Sequence, residues 1–184
     1  MKVKTSVCRM LAALGVCAAL VLSVSCARGL PTYEMHCEDS HYSYVIRSHS
    51  GDVMLAEEGL TREPHITELD NGVVSVSVQA GTGLFTRQTM YCDTATGRRS
   101  ETYTAVLGEQ SDKVFFVRYA DGAHCIVMQD LFDKKAFYKE FPLEDASAVT
   151  DPVREFELTE DGTARLVYLK GADYTETEMN LKLH

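Results

Sequence analysis

From Pro31 onward, turn-forming triplets cut the chain into short runs rich in Val, Tyr, Phe and Thr. The triplets are Ser50-Gly51-Asp52, Asp70-Asn71-Gly72, Ala95-Thr96-Gly97, Ala120-Asp121-Gly122 and Glu160-Asp161-Gly162. Asn and Asp side chains bond to the backbone two residues on, and glycine takes positive φ without a steric penalty, so such triplets reverse a chain tightly. Between them the residues alternate. Val74-Ser75-Val76-Ser77-Val78-Gln79 places valines on one face and polar side chains on the other, the mark of a half-buried strand. Glu155-Phe156-Glu157-Leu158-Thr159 and Met179-Asn180-Leu181-Lys182-Leu183 repeat the alternation. Parallel sheets, covered on both faces, seldom alternate so cleanly, so the pairing is read as antiparallel.

Lys113 to Tyr119 and His124 to Gln129 are apolar on both faces and are joined by Ala120-Asp121-Gly122-Ala123. This hairpin is the expected centre of the core, with Lys113 and Arg118 guarding an otherwise aggregation-prone strand. Asp130 to Phe141 suits a short helix or a hairpin turning at Asp133-Lys134-Lys135. Its aromatic content and the stop at Pro142 favour the hairpin. Comparable strand-turn-strand units begin near Tyr33, Val73, Val114 and Arg154, a spacing of about 40 residues. The fold expected is therefore mainly β, an antiparallel meander arranged as a propeller-like array of about four units, with a β-barrel or β-sandwich as the alternatives.

The N-terminal segment carries an address. Lys2, Lys4 and Arg9 precede an apolar run from Met10 to Val24, followed by small residues, in the order of a secretory signal peptide. The run is shorter than the roughly 20 residues a membrane-spanning helix needs. Leu22-Ser23-Val24-Ser25-Cys26 resembles the lipobox of bacterial lipoproteins, with Ser23 standing where that family prefers leucine. The resemblance implies that the thiol of Cys26 is lipidated and becomes the new N-terminus. Cleavage between small residues around Ser25 and Ala27 would instead release the chain. Residues 1–26 are thus read as a signal segment and 27–184 as a single antiparallel β domain in an extracytoplasmic compartment. Its membrane contact would be the lipid at Cys26.

Charge narrows the partners. The chain carries −9 at pH 7, and the three positive charges before Arg28 leave with the segment, which takes the remainder to −12. Such a field repels nucleic acid, and no Lys/Arg cluster offsets it. The expected partner is a protein or an extracytoplasmic ligand. Nine tyrosines supply rigid amphipathic contact area, although strands favour tyrosine for packing as well.

Local chemistry is sparse. His36, Cys37, Asp39 and His41 fall within six positions and form the metal-ligand candidate; they converge only where the chain turns, and Glu38-Asp39-Ser40 could supply that turn. Cys37, Cys92 and Cys125 allow at most one internal disulfide. Adjacent acids such as Glu57-Glu58 and Glu144-Asp145 point to opposite strand faces, so solvated loop acids explain them better than a glycosidase pair. Gly81-Thr82-Gly83 lacks the following helix and lysine of a phosphate cradle and reads as a small flexible turn. No catalytic residue and no cofactor are assigned. The resulting expectation is a non-enzymatic binding or interaction module, with a hydrolase of dispersed site residues and a metal-binding envelope protein as alternatives.

Overall fold

A computed structural model describes residues 32–159 and 161–183. The signal segment and Cys26 lie outside the described residues. The rest is organised as four antiparallel sheets that follow one another along the chain. The first holds β1 (Tyr33–Glu38), β2 (His41–Arg47) and β3 (Val53–Leu60). The second holds β4 (His65–Glu68), β5 (Val73–Gln79), β6 (Arg87–Asp93) and β7 (Arg98–Arg99), with β8 (Tyr103–Thr104) also pairing on β6. The third runs β9 (Val106–Gln110), β10 (Lys113–Ala120), β11 (Ala123–Asp130) and β12 (Tyr138–Pro142). The fourth runs β13 (Val153–Leu158), β14 (Thr163–Lys170) and β15 (Thr175–Lys182). There is no α-helix among the described residues, and none of their helices is long and apolar enough to cross a membrane.

The mainly β meander read from the sequence is the fold adopted, in four units. Apart from β8, which pairs with β6, strands within each sheet pair with their neighbours in the chain because the turns between them are tight. In the β10–β11 hairpin, Ala120 opposes Ala123, and Asp121 and Gly122 both take positive φ, 53° and 80°, as a two-residue turn matched to strand twist requires. The segment after Asp130 is a hairpin, its turn closed by the Ala136 N–H donating to the Asp133 carbonyl at 2.9 Å. No sheet closes on itself, which removes the barrel alternative, and four stacked sheets are more than the two of a sandwich. The units begin at Tyr33, His65, Val106 and Val153, so the even 40-residue spacing does not hold. The first sheet has only three strands, and the connection after β12 is long.

Apolar side chains hold the stack together at each interface. Tyr44 and Ile46 of β2 pack with Val74, Val76 and Cys92 between the first and second sheets. Val73, Tyr91 and Tyr103 meet Val114 and Leu131 between the second and third. Phe115, Val117, Ile126 and Met128 meet Ala164, Leu166, Tyr168 and Leu181 between the third and fourth. The 113–130 hairpin therefore contributes both of its faces to the core, which is why its sequence lacks alternation. One expectation fails. The serine face of β5 is not solvated, since Ser75 is buried and so is Thr89, which opposes Ser77 on β6; residues of β9 line this face. Ser77 and Thr89 satisfy each other there, hydroxyl to hydroxyl at 2.8 Å.

Candidate functional site

The local cluster singled out as a metal-ligand candidate does lie on a turn, but the turn keeps its members apart. Asp39 and Ser40 take φ of 47° and 62° between β1 and β2. Residues opposed across an antiparallel pair share a face, and Cys37 opposes Tyr42 while His36 opposes Ser43 and His41 opposes Glu38. Cys37 thus lies on one face of the hairpin and His36 and His41 on the other. Nδ1 of His41 sits 2.9 Å from the carbonyl of Asp39, and His36 lies 3.9 Å from a carboxylate oxygen of Glu34. No group of three or more His, Cys, Asp or Glu side chains able to hold a metal ion occurs among the described residues. The three cysteines are free thiols, Cys37 exposed, Cys92 and Cys125 buried. Burial pushes the Cys92 thiol up to about 11, so it stays protonated and acts as a small apolar residue at neutral pH.

A different set of residues converges, drawn from three of the successive units. Phe85 comes from the loop between β5 and β6, Tyr119 and His124 from the tip of the β10–β11 hairpin, and Ala148, Val149 and Thr150 from the connection that leads to the fourth sheet. They line an open surface pocket of about 360 Å³. Tyr119 and His124 are register partners, so their rings share the face that looks toward the fourth sheet, with centroids 4.7 Å apart and tilted. The Phe85 ring lies 6.4 Å from that of His124. Both distances fall in the range of attractive tilted aromatic pairs.

The two hairpin-tip residues differ in exposure. Tyr119 is 58% exposed and forms the rim, whereas His124 is 6% exposed and forms the floor. Burial alone holds the His124 imidazole below the usual imidazole range, with no partner acting on it, so the ring is neutral at pH 7. Its backbone carbonyl accepts from the Leu143 N–H at 3.0 Å, but its ring nitrogens make no hydrogen bond to the described residues. Those nitrogens are not sealed from solvent, so the imidazole offers a donor and an acceptor to whatever fills the pocket.

Phe85 is held there by a loop that is anything but slack. Gly81-Thr82-Gly83, expected to be a flexible turn, is tied down by the side-chain amide of Gln79. That nitrogen donates toward the carbonyls of Gly81 at 2.7 Å and Gly83 at 3.2 Å, and toward the Thr86 hydroxyl at 2.8 Å. Thr86 passes the chain on by donating to the Gly83 carbonyl at 2.6 Å. Arg62 donates to the Gly81 carbonyl at 2.6 Å, and Arg87 donates to Gln79 Oε1 at 3.1 Å. Gly81 is required by this closeness, because a Cβ there would stand 2.8 Å from Thr86 Cγ2. No family model, no curated protein and no solved structure matches this chain.

The sequence offered two signals for the pocket. His124 is a polar residue opening the run Cys125-Ile126-Val127-Met128 in the strand read as most central, and Tyr119 mirrors it across the Asp121-Gly122 turn. Phe85 and residues 148–150 gave none, since only stacking brings them near.

Proposed function

We propose that this chain is an exported binding module that takes its ligand in the pocket formed by Phe85, Tyr119, His124 and residues 148–150, and that is held at the envelope where Cys26 is lipidated. The observation that carries the reading is the imidazole of His124 on the floor of a mainly apolar pocket built from three units, its ring nitrogens open to the pocket and unclaimed by the described residues. Pockets of this kind, mainly apolar with one or two placed polar groups, are the ordinary form of a ligand site. The charge of the chain supports the same reading, because its acidity disfavours polyanionic partners.

The address is tested by the intact mass of the chain recovered from its host. A diacylglyceryl-modified Cys26 at the N-terminus is the expected result for an anchored form, and an unmodified start near Arg28 for a released one. A chain that retains Met1 and stays in the cytoplasm would sink the export reading. Two or three acyl chains hold a protein firmly at a membrane, where one does so only marginally.

The pocket is tested through Gln79. In the Gln79→Ala chain the carbonyls of Gly81 and Gly83 and the Thr86 hydroxyl lose their shared donor, so hydrogen exchange across residues 80–86 is expected to rise about tenfold or more, while β10, β11 and β14 keep their protection. Native mass spectrometry of the chain from its host is expected to carry a small non-covalent adduct that the variant has lost. An adduct retained in full by a variant with a loosened loop would place the ligand elsewhere.

A further inference from the structure

The lining of the pocket specifies what it can hold. Six residues form it, and none is charged at neutral pH: Phe85, Tyr119, Ala148, Val149 and Thr150 carry no charge, and burial keeps His124 neutral. An ionic ligand entering it would shed hydration without meeting an opposite charge, which costs several kcal/mol in an apolar site. The walls are ring faces and edges with two small aliphatic side chains, a surface that favours a flat apolar body packed in tilted or offset geometry. Size sets a further bound. A cavity of about 150 Å³ encloses a benzene ring, so about 360 Å³ has room for a fused two-ring body.

The floor supplies one polar demand. A neutral imidazole has one donor and one acceptor nitrogen, and those of His124 make no hydrogen bond to the described residues and stay open to the pocket, where a bound hydroxyl, carbonyl or ring N–H could pair with them. Resting on the binding-module reading above, we infer that the pocket selects an uncharged planar ring compound bearing a single hydrogen-bonding group, and that His124 is the residue that reads this group. Tyr119, at the exposed rim, covers the ring after entry, and Phe85 fixes its far edge through the loop that Gln79 ties down.

Three probes of one shape separate the terms: 1-naphthol, naphthalene and 1-naphthoate. They are added to the chain as exported by its host, with binding read from the His124 and Tyr119 ring resonances. Saturable binding of 1-naphthol is expected, with naphthalene and naphthoate each at least tenfold weaker. His124→Phe is expected to keep the ring contacts and drop 1-naphthol to the affinity of naphthalene, leaving naphthalene unchanged. His124→Gln, which restores a donor and an acceptor, is expected to recover the preference, and it keeps the test alive should the phenylalanine variant fold poorly.

Equal binding of naphthol and naphthalene by the unaltered chain would overturn the role given to His124. Naphthoate binding as well as naphthol would overturn the selection for an uncharged ligand. If none of the three moves the His124 or Tyr119 resonances saturably, the ligand class falls. The wider binding-module reading is decided separately, by whether the adduct carried from the host is lost in Gln79→Ala.

Discussion

Phe115→Ala is expected to destabilise this protein by about 4 kcal/mol, the middle of the range for removing a fully buried aromatic side chain. In a protein of this size that lowers the thermal midpoint by roughly 8 to 16 °C. Phe115 is fully buried on β10 and lies in the seam between the third and fourth sheets, its ring 5.4 Å from that of Phe156 and tilted to it. Its register partners are Met128 on β11 and Gly108 on β9. Gly108 faces the same ring, since a Cβ there would make ordinary van der Waals contact with Phe156 at 3.5 Å. Alanine at position 115 would leave a void that β-sheets on two sides cannot collapse to fill, because each is fixed by its own ladder. Phe115→Leu, which keeps more of the volume, should cost much less. Calorimetry on both variants checks the claim, and a midpoint within 2 °C of the parent for Phe115→Ala would mean that this seam is not what joins the last two sheets.

The features legible in the sequence are those whose cause is local. Asp121-Gly122 and the other turn triplets act over four residues, so they placed hairpins correctly, and Gly51, Gly72, Gly97, Gly122 and Gly162 all take the positive φ that the turns demand. The lack of alternation in Lys113–Ala120 and Ala123–Asp130 likewise marked the hairpin that is covered on both sides. The solvated face read on β5 failed through contacts distant in the chain. Ser75 alternates with valines as a solvated residue would, yet residues of β9 line its face. Nothing within β5 could reveal that strand. The metal-ligand candidates stood out because His36, Cys37, Asp39 and His41 are close in sequence, but closeness along a strand assigns neighbours to opposite faces, and the hairpin preserves that separation. The pocket inverts the case. Tyr119 and His124 meet across one hairpin turn, but Phe85 and Val149 are far from them in the chain and join them only when three units stack, so no window of sequence holds the whole site.

The polar group buried in the seam between the second and third sheets leads to the other large effect. Gln129 is almost wholly buried, 2% exposed, on the face of β11 that looks toward the second sheet. Its side-chain nitrogen donates to Glu101 Oε1 and to the Tyr103 hydroxyl, each at 2.9 Å, and that hydroxyl donates in turn to the Leu131 carbonyl at 3.0 Å. Gln129→Leu nearly conserves volume, so it tests the hydrogen bonds rather than the packing. Glu101 can turn to water, but the Tyr103 oxygen is buried and loses its incoming donor, for an expected loss of about 2 kcal/mol.

The same substitution has a second readout that a packing defect would not move. Burial pushes the Tyr103 hydroxyl up to about 12, and the amide of Gln129 works against that shift by donating to the oxygen where negative charge would develop. Without that donor the hydroxyl should titrate at still higher pH, which ultraviolet titration of the tyrosines detects as one group moving upward. Adding Tyr103→Phe to Gln129→Leu removes the stranded oxygen altogether, and the double variant should be less destabilised than the sum of the two single ones, by a coupling of about 1 kcal/mol. Strict additivity, with no movement of the tyrosine titration, would mean that water already serves the Tyr103 oxygen and that the seam is held by its ring contacts alone.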